Sequence, residues 1–119
     1  MSRYVDVYVL PVPTAKLDEY RKIAETAGKI WRDHGALEYY ECLADDVKPG
    51  KQTSFPQSVN LKPDETVVVG YIVFKSREDR DRINELVMKD ERMSGCSPDN
   101  MPFDGMRMFW GGFKTWVEA

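Results

Sequence analysis

The run Glu65–Phe74 limits what this chain can fold into more than any other segment. Read at the period of two that a β-strand imposes, Val67, Val69, Tyr71 and Val73 fall on one side and Val68, Ile72 and Phe74 on the other, so both faces are apolar. A strand of that kind needs cover on both sides, as the inner strands of layered sheets do. The remaining segments must supply the two covers. With 119 residues, 42% of them hydrophobic, the chain suits one core and a single α+β domain over 1–119.

Upstream, Arg3 to Val12 alternates Tyr4, Asp6, Tyr8 and Leu10 against Val5, Val7, Val9 and Pro11 and predicts a first strand. Pro11 and Pro13 cannot donate ladder hydrogen bonds and are expected to end it, with Thr14 capping the helix that follows. Leu17, Tyr20, Ala24, Ala27, Trp31 and His34 recur at helical spacing, widened by Ile23 and Ile30, until Gly35 stops the helix. Ala36 to Ala44 predicts strand two, with Leu37, Tyr39, Glu41 and Leu43 opposite Glu38, Tyr40 and Cys42. Ser76-x-x-Asp79 opens a second helix as a capping box, a Glu78–Arg82 pair supports it, and Ile83, Leu86 and Val87 form its apolar stripe. Met106 to Val117 predicts strand four, in which Gly111-Gly112 permits a bulge or a close backbone approach.

Two stretches stay irregular. Asp45 to Asp64 is rich in Asp, Lys, Pro, Gly, Ser and Gln, and Phe55, Val59 and Leu61 predict that it docks. Asp90 to Gly105 sets Met93, Cys96, Met101 and Phe103 among Gly, Pro, Ser and Asn, where short helical turns fit. The element order is then βαββαβ, a ferredoxin-like antiparallel sheet with two helices on one face. The second cover of strand three is missing from this plan. Tyr71, Trp110, Trp116 and the strand-three valines would form an exposed apolar patch, and a second copy packed sheet to sheet is the expected cover.

The runs Val5-Asp6 through Val12-Pro13 and Trp31-Arg32-Asp33-His34-Gly35-Ala36-Leu37-Glu38-Tyr39 resemble the YbaA-like family of uncharacterised bacterial proteins. Asp45-Asp46-Val47-Lys48-Pro49-Gly50-Lys51, Ser54-Phe55-Pro56, Val87-Met88-Lys89-Asp90 and Met101-Pro102-Phe103-Asp104-Gly105, with Arg107-Met108 and Gly111-Gly112-Phe113, carry the resemblance along nearly the whole chain. It departs at Ser94-Gly95-Cys96-Ser97, where the family pattern has more regular helical residues. The resemblance implies a dimeric α+β barrel and a homodimer, and no established activity.

Candidate chemistry is sparse. His34, the sole histidine, is the side chain whose ordinary pKa lies near neutrality, yet before Gly35 it suits the carbonyls and dipole of a helix end. Neither Glu38 nor Glu41 makes a metal-ligand spacing with it, so no metal and no cofactor is implied. Asp6 stands between Tyr4 and Tyr8 on the face opposite the valines, assigned here to the open side of the sheet, where it would line a cavity between subunits or bond a Tyr or Arg107 across the dimer. Asp6, His34 and Arg107 are the catalytic candidates, and Tyr39, Tyr40, Phe55 and Trp110 the ligand-binding ones. Cys42 and Cys96 show no CxxC pattern and read as small, buried, reduced hydrophobes, and Ser54 lacks a nucleophile-elbow pattern. The two long loops, carrying Lys48, Lys51, Phe55, Asp104 and Arg107, are the expected site region, or else they wrap the partner.

Three functions follow. The first is a small-molecule binder or enzyme with a pocket between sheet and helices, by analogy with dimeric α+β barrels that include cofactor-independent monooxygenases. The second is a structural or regulatory homodimer without catalysis. The third is RNA binding, since the RNA-recognition module shares the strand order and Val7-Tyr8-Val9 echoes its first strand. Against it, Val69 stands where that module places a base, and a net charge of −3 offers phosphates no field. The N-terminal segment lacks a leader pattern and no apolar run reaches membrane length, which leads to a cytoplasmic, membrane-free expectation.

Overall fold

A computed structural model of the chain describes residues 2–96 and 101–119. Strands β1 (Tyr4–Pro13), β2 (Glu38–Leu43), β3 (Glu65–Phe74) and β4 (Phe109–Lys114) form one antiparallel sheet in the order β2-β3-β1-β4. Helix α1 (Leu17–Asp33) joins β1 to β2, a single turn α2 (Phe55–Ser58) sits in the first long loop, and α3 (Arg77–Met88) links β3 to β4. The fold is the ferredoxin-like βαββαβ plan, with α1 and α3 on one face of the sheet. No helix among the described residues is long and apolar enough to cross a membrane.

β3 is covered twice, as its composition demands. On one side Ile72 and Phe74 pack with Ile30 of α1 and with Ile83 and Val87 of α3, while Val68 packs with Leu10, Val12 and Tyr20. On the other side the first long loop folds back, and its Val59 is fully buried against Val9 and Val67, flanked by Leu61 and Ala44. That face is therefore not bare along its whole length. The loop docks through Val59 and Leu61, whereas Phe55 points outward, half exposed. Beyond the loop the same face presents Val5, Val7, Val69 and Tyr71, half-buried, with Tyr40, Phe109 and Phe113 exposed.

Cross-strand register decides which residues meet the helices. Tyr4 pairs with Phe74, Asp6 with Ile72, Tyr8 with Gly70, and Leu10 with Val68, so the Tyr4-Asp6-Tyr8-Leu10 set faces the helices and the valine set faces away. The open-side assignment of Asp6 is thus reversed. The reason is steric: the Tyr8 ring lies across Gly70, and Tyr4 lies across Gly112 of β4, so two glycines make room for two large rings on the helix side. Trp110, opposite Tyr8, is likewise on the helix side and not part of the open patch.

Several boundaries shift for local reasons. β1 runs through Pro11 to Pro13, because β4 pairs with it only as far as Val9 and the prolines lie where that edge is free. Thr14 gives no side-chain cap; Thr14–Lys16 is a 3-10 turn, and the Thr14 amide donates to the Asp64 carbonyl at 2.8 Å. At the other end of α1, Gly35 adopts φ +116°, the left-handed conformation that lets the chain turn into β2. Ser76 caps α3 from the Asp79 amide as expected, but Arg82 reaches Asp79 instead of Glu78. β4 is shorter than expected, since Gly105–Arg107 forms a 3-10 turn before it, and a second such turn at Glu91–Met93 opens the other loop. Ser97 of the departing segment lies outside the described residues.

A Cβ at Gly70 would stand 2.2 Å from the Tyr8 ring. Gly70→Ala is therefore expected to destabilise the fold by about 3 kcal/mol, at the upper end of overpacking costs. Urea denaturation checks this; a loss under about 0.5 kcal/mol, the range of unimportant surface changes, would mean that the ring is not pinned there.

Candidate functional site

Between the sheet and its helices lies a cavity of about 470 Å³. It exists because α1 carries Ala24 and Ala27 where the sheet side carries the large rings, so helix and sheet do not fill the space between them. Alternate residues of β1 and β2 form the floor: Asp6, Tyr8 and Leu10 from one, Tyr39 and Glu41 from the other. α1 adds Tyr20, Ile23 and Trp31, and α3 adds Asn84 and Met88. The loop after α3 and the entry to β4 close the remaining side with Met93, Cys96, Met101, Phe103, Met108 and Trp110. The walls are mostly hydrocarbon, aromatic ring and thioether, the composition of a small-molecule pocket.

Two polar networks interrupt that lining. In the first, the Glu41 carboxylate accepts from the Tyr20 hydroxyl and, at 2.6 Å, from the Tyr39 hydroxyl, tying α1 to the edge strand β2. Burial, and after it the Glu41 charge, pushes both phenols well above their ordinary range. Tyr8 is pushed up even further, chiefly by burial, and its hydroxyl stands beside that of Tyr39 without a well-formed hydrogen bond among the described residues. All three phenols are held neutral, so they act as hydrogen-bond donors and not as bases. In the second network, the buried Asp6 carboxylate accepts from Arg80 Nε at 3.0 and 3.1 Å and pairs with Arg80 Nη2 at 3.0 Å. Asn84 Nδ2 approaches it at 3.4 Å, and Asn84 Oδ1 accepts from Trp31 Nε1 at 2.9 Å. The Arg80 guanidinium also stacks over Tyr4 and Trp110, with 5.2 and 5.9 Å to the ring centroids.

Of the residues singled out from the sequence, Asp6, Tyr39 and Trp110 come together at this cavity; Asp6 meets Arg80 and not Arg107 or a tyrosine. His34 does not reach it. Its Nε2 lies 2.8 Å from Asp90 Oδ2, and Arg92 joins Asp90 to Asp33, so the histidine fastens the end of α1 to the turn after α3. Arg107 is structural too: it grips Glu65 in a two-pronged pair at 2.7 and 2.6 Å, donates to the Val59 and Asn60 carbonyls, and pairs with Asp104 at 2.9 Å. Tyr40 stacks on Tyr71 on the helix-free face, and Phe55, Lys48 and Lys51 are exposed on the first loop, which contributes nothing to the cavity. Neither cysteine is buried as expected: Cys96 is half-buried at the cavity and Cys42 is exposed on the opposite face of the edge strand β2, and among the described residues no group of three His, Cys, Asp or Glu side chains could hold a metal.

Sequence reasoning passed over Tyr20, Glu41, Arg80 and Asn84 as site residues. The readable signal was Gly70, opposite Tyr8, and Gly112, opposite Asp6 and under the ring of Tyr4, which turn Asp6 toward the helices and oblige α3 to supply a cation. Residues 3–105 match the family model described as "Protein of unknown function (DUF1428)". The chain belongs to this family. Its relatives include the uncharacterized protein YbaA of Escherichia coli K12 and that of Shigella flexneri, each 41% identical over 116 residues and covering 98% of both chains. The YbaA-like resemblance is thereby established. Among solved structures, a NIPSNAP-family protein of unknown function from Agrobacterium tumefaciens superposes with a TM-score of 0.60 at 16% identity, covering 95% of this chain and 87% of that one. The likeness extends the same fold to a distant group.

Two outcomes follow from these networks. Removing one member of the buried pair, Arg80→Ala, strands the Asp6 charge and is expected to cost about 3 kcal/mol or more, whereas the double variant Asp6→Leu/Arg80→Met loses less; urea midpoints with equal losses would contradict this. Arg107 holds the Glu65 carboxyl below its ordinary range, and Arg92, then His34, hold Asp90 there. Folded-state pKa values below unfolded ones mean that this stability is complete above about pH 5 and is lost as pH falls through the folded values. The urea midpoint is therefore expected to stay level from neutrality to about pH 5 and to fall in more acid solution; a midpoint that rises on acidification would refute the assignment.

Proposed function

We propose that this chain is a binder of a small, mainly apolar molecule, which it holds between sheet and helices, and that it does so as a homodimer paired through the helix-free sheet face. The observation that carries the first half is the 470 Å³ cavity with hydrocarbon and aromatic walls, bordered by the buried Tyr8 hydroxyl, which stands beside the Tyr39 hydroxyl without a well-formed hydrogen bond among the described residues. A buried donor left without an acceptor costs free energy, and a ligand oxygen or nitrogen would recover it. Binding is favoured over conversion because both cavity carboxylates are already engaged, Asp6 by Arg80 and Glu41 by two phenols, while His34 and Arg107 are occupied elsewhere.

The dimer half rests on the other face. Tyr40, Phe109 and Phe113 are about half exposed beside Val5, Val7 and Tyr71 on one face of the sheet, the kind of apolar surface that marks an interface. The docked first loop leaves this part of the sheet clear. Sheet-to-sheet pairing would bury it and give β3 its second cover along its full length.

tert-Butylbenzene is expected to raise the melting temperature of the wild type as a ligand of the native state, and to have little effect on Ala24→Phe, whose side chain would occupy the cavity. No shift in the wild type at saturating tert-butylbenzene, nor with its charged analogue phenyltrimethylammonium, would end the binding reading. Val7→Asp is expected to yield a monomer, or to unfold, in sedimentation at micromolar concentration; a wild type that already sediments as a stable monomer would end the dimer reading.

A further inference from the structure

We infer that the molecule held in the cavity is an organic cation, an amine or quaternary ammonium on an apolar or aromatic body, with its charged end beside Glu41. The inference deepens the binding reading and rests on it. Among the described residues the lining includes two carboxylates, Asp6 and Glu41, and no lysine, arginine or histidine. Asp6 is neutralised from outside the cavity by Arg80. Glu41 is different: among the described residues its hydrogen-bond partners are the Tyr20 and Tyr39 hydroxyls, which solvate a carboxylate without cancelling its charge. On its outer side Glu41 borders a groove with Arg21, Lys29 and Arg32, but these side chains are exposed to water and none forms an ion pair with it; Arg21 instead pairs with Glu25. A partly buried carboxylate with no counterion disfavours an anionic guest and favours a cationic one.

The walls point the same way. Tyr8, Tyr20, Trp31, Tyr39, Phe103 and Trp110 surround the space, and ring faces attract a poorly hydrated cation through their quadrupoles. The molecule already uses this interaction once, where the Arg80 guanidinium rests on Tyr4 and Trp110. The four described methionines among the lining residues, Met88, Met93, Met101 and Met108, add a polarizable and adjustable surface for the apolar body.

Phenyltrimethylammonium and tert-butylbenzene have nearly the same shape and differ by one charge. Titrated by tryptophan fluorescence and calorimetry against the full chain, the cation is expected to bind at least about tenfold more tightly than the hydrocarbon. Glu41→Gln is expected to erase that preference while keeping the affinity for tert-butylbenzene. Equal affinities in the wild type, or a preference for the hydrocarbon, would overturn the cation assignment and leave the cavity reading standing. Binding of neither probe would overturn both. A preference that survives Glu41→Gln undiminished would remove Glu41 from the account and overturn the inference as stated. Should Glu41→Gln fail to fold, Trp31→Leu provides the second variant: it must weaken the cation more than the hydrocarbon, and equal weakening counts against the inference.

Discussion

The Tyr8 ring can lie flat across the sheet because residue 70, its register partner on β3, has no side chain. Much follows from that contact. With Tyr8 turned toward the helices, strand geometry turns Tyr4, Asp6 and Leu10 the same way and sends Val5, Val7 and Val9 to the opposite face. A single-residue slip in register would exchange the two sets, placing Asp6 among valines and a valine row under the helices. Gly112 repeats the arrangement one strand over, under Tyr4, so both neighbours of β1 fix the same choice. Gly28 gives a third instance, since the Tyr39 ring packs where its Cβ would stand, which brings α1 close to β2.

Turning Asp6 inward places a carboxylate in the core layer, and the rest of the helix-side architecture answers it. Arg80 is on the first turns of α3, where the Ser76 cap fixes the start of the helix, and its guanidinium satisfies both oxygens of Asp6 while covering two aromatic rings. Such a pair adds little net stability, because desolvation of the two charges offsets most of their attraction. What it does is tie α3 to β1 at one point, since the Arg80 guanidinium reaches both oxygens of Asp6 from this placement of the helix. Asn84, one turn further along α3, extends the network to Trp31 on α1. The helices thus meet the sheet through fixed polar contacts at one end and pack as hydrocarbon at the other, around Ile30, Ile83 and Val87.

The element order, the antiparallel sheet and the two-sided demand of β3 were all legible in the sequence, because periodicity and punctuation record them directly. Asp6, Tyr39 and Trp110 were singled out as well, but Asp6 and Trp110 were set on the helix-free face, the side opposite to the one they occupy. The sign of the faces was not legible from β1 alone: Val5, Val7 and Val9 look more like a core set than Tyr4, Asp6 and Tyr8 do. Hydrophobicity ranks side chains one at a time, whereas the choice was made by pairs, tyrosine over glycine and aspartate with arginine, whose members are 62 to 108 positions apart in Tyr8–Gly70 and Tyr4–Gly112 and 74 apart in Asp6–Arg80. Arg107 and His34 misled for the opposite reason. Isolated in a sequence, a lone histidine and a loop arginine look available, yet each closes a local circuit with carboxylates that tie loops to the ends of regular elements.

β1 is the wall that both readings share. Its even-numbered side chains border the cavity through Asp6, Tyr8 and Leu10, and its odd-numbered ones supply Val5 and Val7 to the face assigned to a second copy. A strand held on both sides has little freedom to twist or shift, so burying Val7 against a partner would also hold the Tyr8 hydroxyl and the Asp6–Arg80 pair in place. Conversely, a guest that engages Tyr8 resists any change in β1 that pairing would have to make. Linkage requires that such an effect be reciprocal: if occupancy of the cavity strengthens pairing, pairing strengthens occupancy by the same factor.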